Sequence, residues 1–308
     1  MKELSAIEKN LLAAVADLHD VPQGAYNIRA NGQAAGRKNT ADVEIVSKTD
    51  KPGIDIIVKP GAKRQSIHIP VVVSQTGLVD LVYNDFYIGD DADVVIVAGC
   101  GIHNDGSEKS QHDGIHTFHI GKRARVSYVE KHYGEGKGTG ERVLNPQTIA
   151  YLDEGASAKF EMVQIRGVDD THRDTKCYVG DNADIVITER LLTSGKQNAV
   201  SDMDVRLEGY NSRARMSSRT VAQDDSVQIF YPRATGTNKC FAHIQCDSII
   251  MGHGSVRSIP EVTASHVDAQ LIHEAAIGRI AGDQILKMMT LGLTEEEAEE
   301  QILNGFLR

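Results

Sequence analysis

The sequence predicts a mainly β protein: a right-handed parallel β-helix with a short N-terminal helix and a C-terminal helical segment. Two observations carry this reading. Between residues 85 and 230 a polar turn containing Gly, Asp or Asn recurs, each time followed by a short run of alternating apolar residues. The turns return at intervals of roughly 25 to 35 residues, the spacing of stacked solenoid coils. Second, helical spacing is confined to the two ends of the chain. An irregular two-sheet β-sandwich would produce similar runs and stays open. The repeated turn-plus-alanine unit favours the β-helix, and the absence of a strict six-residue aliphatic repeat disfavours its left-handed form.

Taken in order, residues 1–20 form the first segment. Ser5-Ala6-Ile7-Glu8 fits a capping box, and Ile7, Leu11, Leu12, Val15 and Leu18 follow at helical spacing. Residues 21–275 form the β core. Ile54, Ile56 and Val58 alternate, as do Ile67, Ile69, Val71 and Val73 beyond the turn at Gly61. The repeating units start at Gly89, Gly121, Glu154 and Gly180, with a weaker copy at Glu208. Residues 276–308 revert to helical spacing. Thr294-Glu295-Glu296-Glu297 is a second capping box, opening a helix that carries Ala298, Ile302, Leu303 and Phe306.

Composition narrows the function. The 308 residues carry 33 Lys and Arg against 43 Asp and Glu, a net charge of −10. Without a basic block, such a chain repels nucleic acid and anionic membranes, so neither is an expected partner. No run reaches the roughly 18 apolar residues of a membrane span. The four cysteines (Cys100, Cys177, Cys240, Cys246) are widely spaced, which fits reduced thiols in a cytoplasmic protein rather than a disulfide scaffold.

Several stretches compete as the functional site. The segment from Gln245 to Glu274 places Cys246 on an apolar strand-like run and ends in His273-Glu274. Thiolate, imidazole and carboxylate make a soft-metal ligand set. Against this, a cysteine in an apolar run is commonly a small buried hydrophobe. His103, His112, His116, His119 and His132 cluster in sequence, but the Gly-, Asn- and Ser-rich stretch from Gly99 to Gly114 reads as a flexible loop. A dedicated zinc site is disfavoured there. Asp169-Asp170 or Asp224-Asp225 could supply the two carboxyl groups of a β-helix carbohydrate-active enzyme. Adjacent Asp residues at turns are more often turn formers, and the chain has no Trp for a sugar to stack on. Gly134 to Gly140 is Gly-rich without a following helix, reads as a mobile tip, and gives no nucleotide site.

Beyond single residues, several motifs stand in one order. They are Gln245-Cys246-Asp247-Ser248 through Gly252, Pro260-Glu261-Val262, His273-Glu274-Ala275, Gly292-Leu293 through Ala298, and Gly305-Phe306. In this the last third of the chain resembles the C-terminal core of the SufB/SufD family of iron–sulfur cluster assembly proteins, in a short SufB-like form. The resemblance implies a scaffold and not an enzyme: a chain that gathers iron and sulfur and holds a transient cluster. It implies Cys246, His273 and Glu274 as ligands, Cys246 of one subunit facing His273 and Glu274 of another across a homodimer formed at the C-terminal end of the β-helix. It also implies a SufC-type ABC ATPase as partner, docked on the C-terminal helices, for which Ile285, Met288, Met289, Leu293 and Phe306 are the candidate contacts. A SufD-like structural role without a cluster is the nearer alternative. One departure stands out. The family strand carries a sulfur-accepting cysteine where Ser127-Tyr128-Val129-Glu130-Lys131-His132 has His132. Sulfur would then arrive as free sulfide or at Cys246 directly, with His132 and its neighbours a candidate sulfur or iron route.

Overall fold

The computed structural model describes residues 3–19 and 22–307. The chain opens with helix α1 (Ala6–Ala16), then the strands β1 (Ala25–Ala30), β2 (Gln33–Lys38), β3 (Val43–Ser47) and β4 (Gly53–Val58). Single strands follow as β5 (Gln65–Val73), β6 (Val79–Ile88), β7 (Asp93–His103), β8 (Ser110–Ile120) and β9 (Arg125–Glu135). One split strand, β10 (Arg142–Leu144) with β11 (Gln147–Leu152), precedes β12 (Ser157–Arg166), β13 (Asp170–Val179) and β14 (Asp184–Thr193). Next come β15 (Asn198–Leu207), β16 (Ser212–Ala222), β17 (Val227–Gly236) and β18 (Cys240–Ile250). A second split strand, β19 (Ser255–Ser258) with β20 (Glu261–Ala264), leads to β21 (Ala269–Gly278) and the helices α2 (Gly282–Thr290) and α3 (Glu295–Phe306).

From β5 onward successive strands alternate between two walls. One wall runs β2-β1-β5-β7-β9-β12-β14-β16-β18-β21, and the other β19-β17-β15-β13-β10-β8-β6-β4-β3. Pairing along the coils is parallel, with antiparallel pairs at β1/β2 and β3/β4. Parallel coils of this kind make a β-helix and not a sandwich. Side chains one coil apart sit 32 residues apart early on (Lys122 and Glu154) and 27 to 29 later (Ser157 and Asp184, Thr220 and Ser248, Glu189 and Ser218).

The repeated turn works as its composition suggests. Asp91, Arg123, Gly155, Asn182 and Asn211 each take a left-handed conformation, φ between 53° and 71°. The next residue, Ala92, Ala124, Ala156, Ala183 or Ser212, turns inward and is buried. Small residues fit because the corner leaves no room for more. Corners also bond to one another: Asp91 N–H donates to Lys122 O at 2.8 Å, and Asn182 N–H to Tyr210 O at 2.8 Å. Inside the early coils, Phe86 stacks on Phe118 with centroids 4.2 Å apart, and Tyr128 and Phe160 pack against Phe118 at 4.9 and 5.0 Å.

Two expected loops are ordered structure. β7 extends to His103 and β8 begins at Ser110, so His112 and Gly114 are strand residues. The connection between them is pinned by Asn104, fully buried, whose Oδ1 accepts from Gly106 N–H and whose Nδ2 donates to Glu108 O. The Gly-rich stretch from Gly134 to Gly140 stacks directly on that connection. Gly138 N–H donates to Asn104 O, and a Cβ on Gly136 would lie 2.3 Å from Asn104 O. Close backbone approach explains those glycines.

Both capping boxes form: Ser5 with Glu8 on α1 and Thr294 with Glu297 on α3. α1 lies outside the wall over β7. Leu11 and Val15, both fully buried, cover Gly99 and Gly101. Strand β21 runs to Gly278 and is the last strand of its wall.

Candidate functional site

Cys246 sits near the end of the β-helix, on β18 between β16 and β21. Alternation along β18 turns Ala242, Ile244, Cys246 and Ser248 inward and His243, Gln245 and Asp247 outward. In register, Cys246 pairs with Ser218 on one side and Ala275 on the other. His273, also inward on β21, brings its Nε2 to 3.5 Å from Cys246 Sγ. Burial pushes the Cys246 thiol up to about 11, against a weaker contact from Ser258 on β19. Burial lowers His273 below the ordinary imidazole value. At neutral pH the pair is a thiol beside a neutral imidazole, the two groups a soft cation can take once it displaces the thiol proton.

Glu274 does not join them. Adjacent strand residues face opposite sides, so Glu274 points outward, where its Oε1 lies 3.4 Å from His243 Nε2. Among the described residues, no three His, Cys, Asp or Glu side chains are arranged to hold a metal ion. Of the three residues expected as ligands, one chain brings together two, Cys246 and His273. A cavity of about 10 Å³, room for one water, lies beside Cys246 among Glu189, Ser218, Thr220, Gln228 and Ser258.

The inward column that holds Cys246 is polar for much of its length. Register carries it from Ala98 through Glu130, Met162, Glu189 and Ser218 to Cys246. Arg173, from the opposite wall, donates to Glu130 and lies 3.7 Å from Glu189. Ser201 and Ser218 each donate to Glu189, at 2.7 and 2.8 Å. Burial opposes the Glu130 carboxylate, but the charges of His132 and Arg173 hold it well below the usual range. His132 is one coil from Cys100, its register partner, so it lies inside the β-helix. Sequence reasoning passed over Glu130, Arg173 and Glu189. The signal was their phase: Glu130 continues the inward alternation of Val126 and Tyr128.

The remaining candidates resolve simply. Asp169 accepts a bidentate pair from Arg142 at 2.7 and 2.9 Å, and Asp170 accepts from Asn198. Asp224 accepts from Gly195 N–H, and Asp225 lies 3.6 Å from His253. These carboxylates tie neighbouring coils together and do not face one another as an acid–base pair. In the C-terminal helical segment, Ile285, Met288, Leu293 and Phe306 are half-buried, while Met289 is exposed together with Leu286 and Leu291. His119 stacks between Tyr87 and Tyr151 on the outer face and is no part of the interior.

A family model described as the SUF system FeS cluster assembly, SufBD core domain, matches residues 82–306. The chain is 28% identical over 264 residues to an iron–sulfur cluster assembly SufBD family protein of Methanothermobacter thermautotrophicus, covering 83% of this chain and 62% of that protein. A protein of Methanocaldococcus jannaschii with the same family description is 28% identical over 256 residues, 82% of this chain and 79% of that one. A third, from Pyrococcus horikoshii, is 29% identical over 211 residues, 64% of this chain and 60% of that one. The chain thus spans less than two thirds of the length of the first and third of these relatives.

Proposed function

Because the chain belongs to the SufBD family of iron–sulfur cluster assembly proteins, we propose that it is a scaffold on which nascent clusters are built and passed on. The observation that supports this reading is the placing of Cys246 Sγ 3.5 Å from His273 Nε2 at the end of the β-helix. Iron and sulfide are cargo here, not a resident cofactor, and the chain contributes ligands and a proton acceptor. As iron takes the thiolate, His273, held neutral by burial, can receive the Cys246 proton or bind iron itself. A mixed thiolate and imidazole set holds a cluster less firmly than four thiolates, which suits a donor.

The two-residue set calls for a second chain. Strand β21 is hydrogen-bonded within the chain on one side, to β18, and its residues from Glu274 to Gly278 are exposed. An unpaired edge of this kind is a template for another strand. A homodimer joined at this end would carry Glu274 of one subunit toward Cys246 and His273 of the other, completing the set across the two-fold axis. The exposed Leu286, Met289 and Leu291 offer an apolar patch for a SufC-type ATPase.

Anaerobic reconstitution with iron and sulfide tests the reading. A visible, chelator-labile chromophore is expected, and Cys246→Ala should remove it. An unchanged chromophore in that variant would take Cys246 out of the site. Co-purification of an ATPase with a chain that never takes up iron would point to a purely structural subunit instead.

A further inference from the structure

At the end of the β-helix opposite Cys246, a cavity of about 220 Å³ lies between the first strands of the two walls. Pockets for drug-sized ligands run to about 300 to 1,000 Å³, so an occupant here is small. Four of the side chains lining the cavity are cationic, Arg29, Arg37, Lys48 and Lys51, and none is acidic. This stands out in a chain whose net charge is −10.

Two of the four are neutralised from behind. Arg29 donates to Asp80 through Nε and Nη2, at 3.1 and 2.8 Å, and Lys48 bonds both Asp55 and Asp85. The other two are oriented without being neutralised. Arg37 Nε donates to Asn27 Oδ1 at 2.9 Å and Nη1 to Ser47 Oγ at 3.0 Å, uncharged partners on opposite walls. A guanidinium has five N–H donors, so these two bonds leave three. No carboxylate raises Arg37; burial alone acts on it and lowers it below the ordinary guanidinium value. Lys51 Nζ lies 4.5 Å from the centroid of the Tyr83 ring and pairs with no carboxylate among the described residues.

The loop that carries Lys48 and Lys51 is fixed in place. Lys48 N–H donates to Gly53 O at 3.1 Å and Tyr83 N–H to Pro52 O at 2.9 Å. Gly53 takes a φ of 143°, and a Cβ there would lie 1.7 Å from Tyr83 O. A site built in advance costs little ordering when it is filled. Arg37 and Lys51 are exposed, whereas Ile54, Ile69, Val71 and Val82 are at most 6% exposed. The cavity thus has a cationic mouth over an aliphatic floor.

We infer that this cavity binds a small phosphomonoester, its phosphate held at the mouth by Arg37 and Lys51 and a short aliphatic body lying on the floor. Two uncompensated cations match a dianion, and the guanidinium fork matches adjacent phosphate oxygens. A single carboxylate would satisfy one cation and leave the other. Inorganic phosphate shares the head-group chemistry but lacks the body that the aliphatic floor would cover. The inference does not depend on iron at Cys246, which lies at the other end of the β-helix.

The test is calorimetric titration of the full chain, in a buffer free of phosphate, with inorganic phosphate and with monobutyl phosphate. One monobutyl phosphate per chain is expected to bind, about tenfold more tightly than inorganic phosphate, the effect of burying two methylene groups. Arg37→Gln and Lys51→Gln should each weaken binding by about tenfold or more, the scale of one charge-assisted hydrogen bond. Arg37 also ties the walls together, so Lys51→Gln, whose exposed side chain ties nothing, is the variant that separates binding from folding. Arg215→Gln, at an exposed position on β16 outside the cavity, should leave binding unchanged. Equal weakening by Lys51→Gln and Arg215→Gln would overturn the inference, because it would show attraction to surface charge in general. So would the absence of saturation up to about 10 mM, or inorganic phosphate binding as tightly as monobutyl phosphate.

Discussion

Glu274 Oε1 lies 3.4 Å from His243 Nε2, on the face of β21 opposite to the one that presents His273 to Cys246. The three residues expected to act as one site are thus divided between the inside and the outside of a single wall. Mixed dimers test whether two chains reunite them. In a dimer of Cys246→Ala with Glu274→Ala, a site built across the two-fold keeps one complete copy, with Cys246 and His273 from one chain and Glu274 from the other. Half the reconstituted chromophore of the wild-type dimer is expected. A site built within each chain would leave none.

That division was legible, since neighbouring residues on a strand must face opposite ways. The coils were legible too, because most left-handed corners carry a Gly, Asn or Asp with a small residue after it, as at Asn182-Ala183 and Asp91-Ala92. The early interior was not. His112 and Gly114 sit in a stretch whose composition reads as loop, and parallel pairing to β6 and β10 overrides that local preference. Arg173 reaches Glu130 from 43 residues away across the interior, a contact with no local trace.

The Arg173 guanidinium reaches both Glu130 and Glu189 in the interior, and all three are nearly inaccessible. Arg173→Met removes the charge but keeps much of the volume. Leaving two buried carboxylates without it should cost about 3 to 5 kcal/mol, read as a lower urea midpoint. Adding Glu130→Gln should restore part of the loss, because the penalty comes from the unpaired charge and not from the missing side chain. A double variant no better than Arg173→Met alone would assign the loss to packing.

The Asp80–His112 pair predicts a pH window. Burial opposes the Asp80 carboxylate, but His112 and Arg29 hold it well below its usual value. A depressed carboxylate stabilises the fold above its unfolded value of about 4, and that contribution is lost as pH falls further. His112 is raised from 6.5 to about 10, so its contribution is complete below 6.5 and fades as pH rises through 10. The difference in thermal midpoint between wild type and Asp80→Asn should therefore be largest between about pH 4 and 6.5 and shrink on both sides. A difference independent of pH would show that the pair contributes hydrogen bonding without charge.

Helix α1 offers a way to separate the cover from the coil it lies on. Gly99 faces outward on β7, and a Cβ there would stand 2.5 Å from Val15 O and 2.8 Å from Val15 Cβ. The strand backbone at Gly99 has no positive φ, so alanine is compatible with β7 itself. Gly99→Ala should therefore push α1 off its seat and leave the β-helix in place. The helix would lose the burial of Leu11, Leu12 and Val15, each worth about 1.5 to 3 kcal/mol. Its remaining ties, Lys131 to Asp17 at 2.6 Å and Asn31 to Glu8 at 2.8 Å, are polar and cannot hold it against that loss. Amide exchange should quicken across Ala6–Ala16 while the strands of the two walls stay protected. Gly278→Ala, at a position with nothing within 4 Å, is the matched control and should change neither. Equal loss of protection in α1 and β7 would mean that the helix and the coil unfold as one unit.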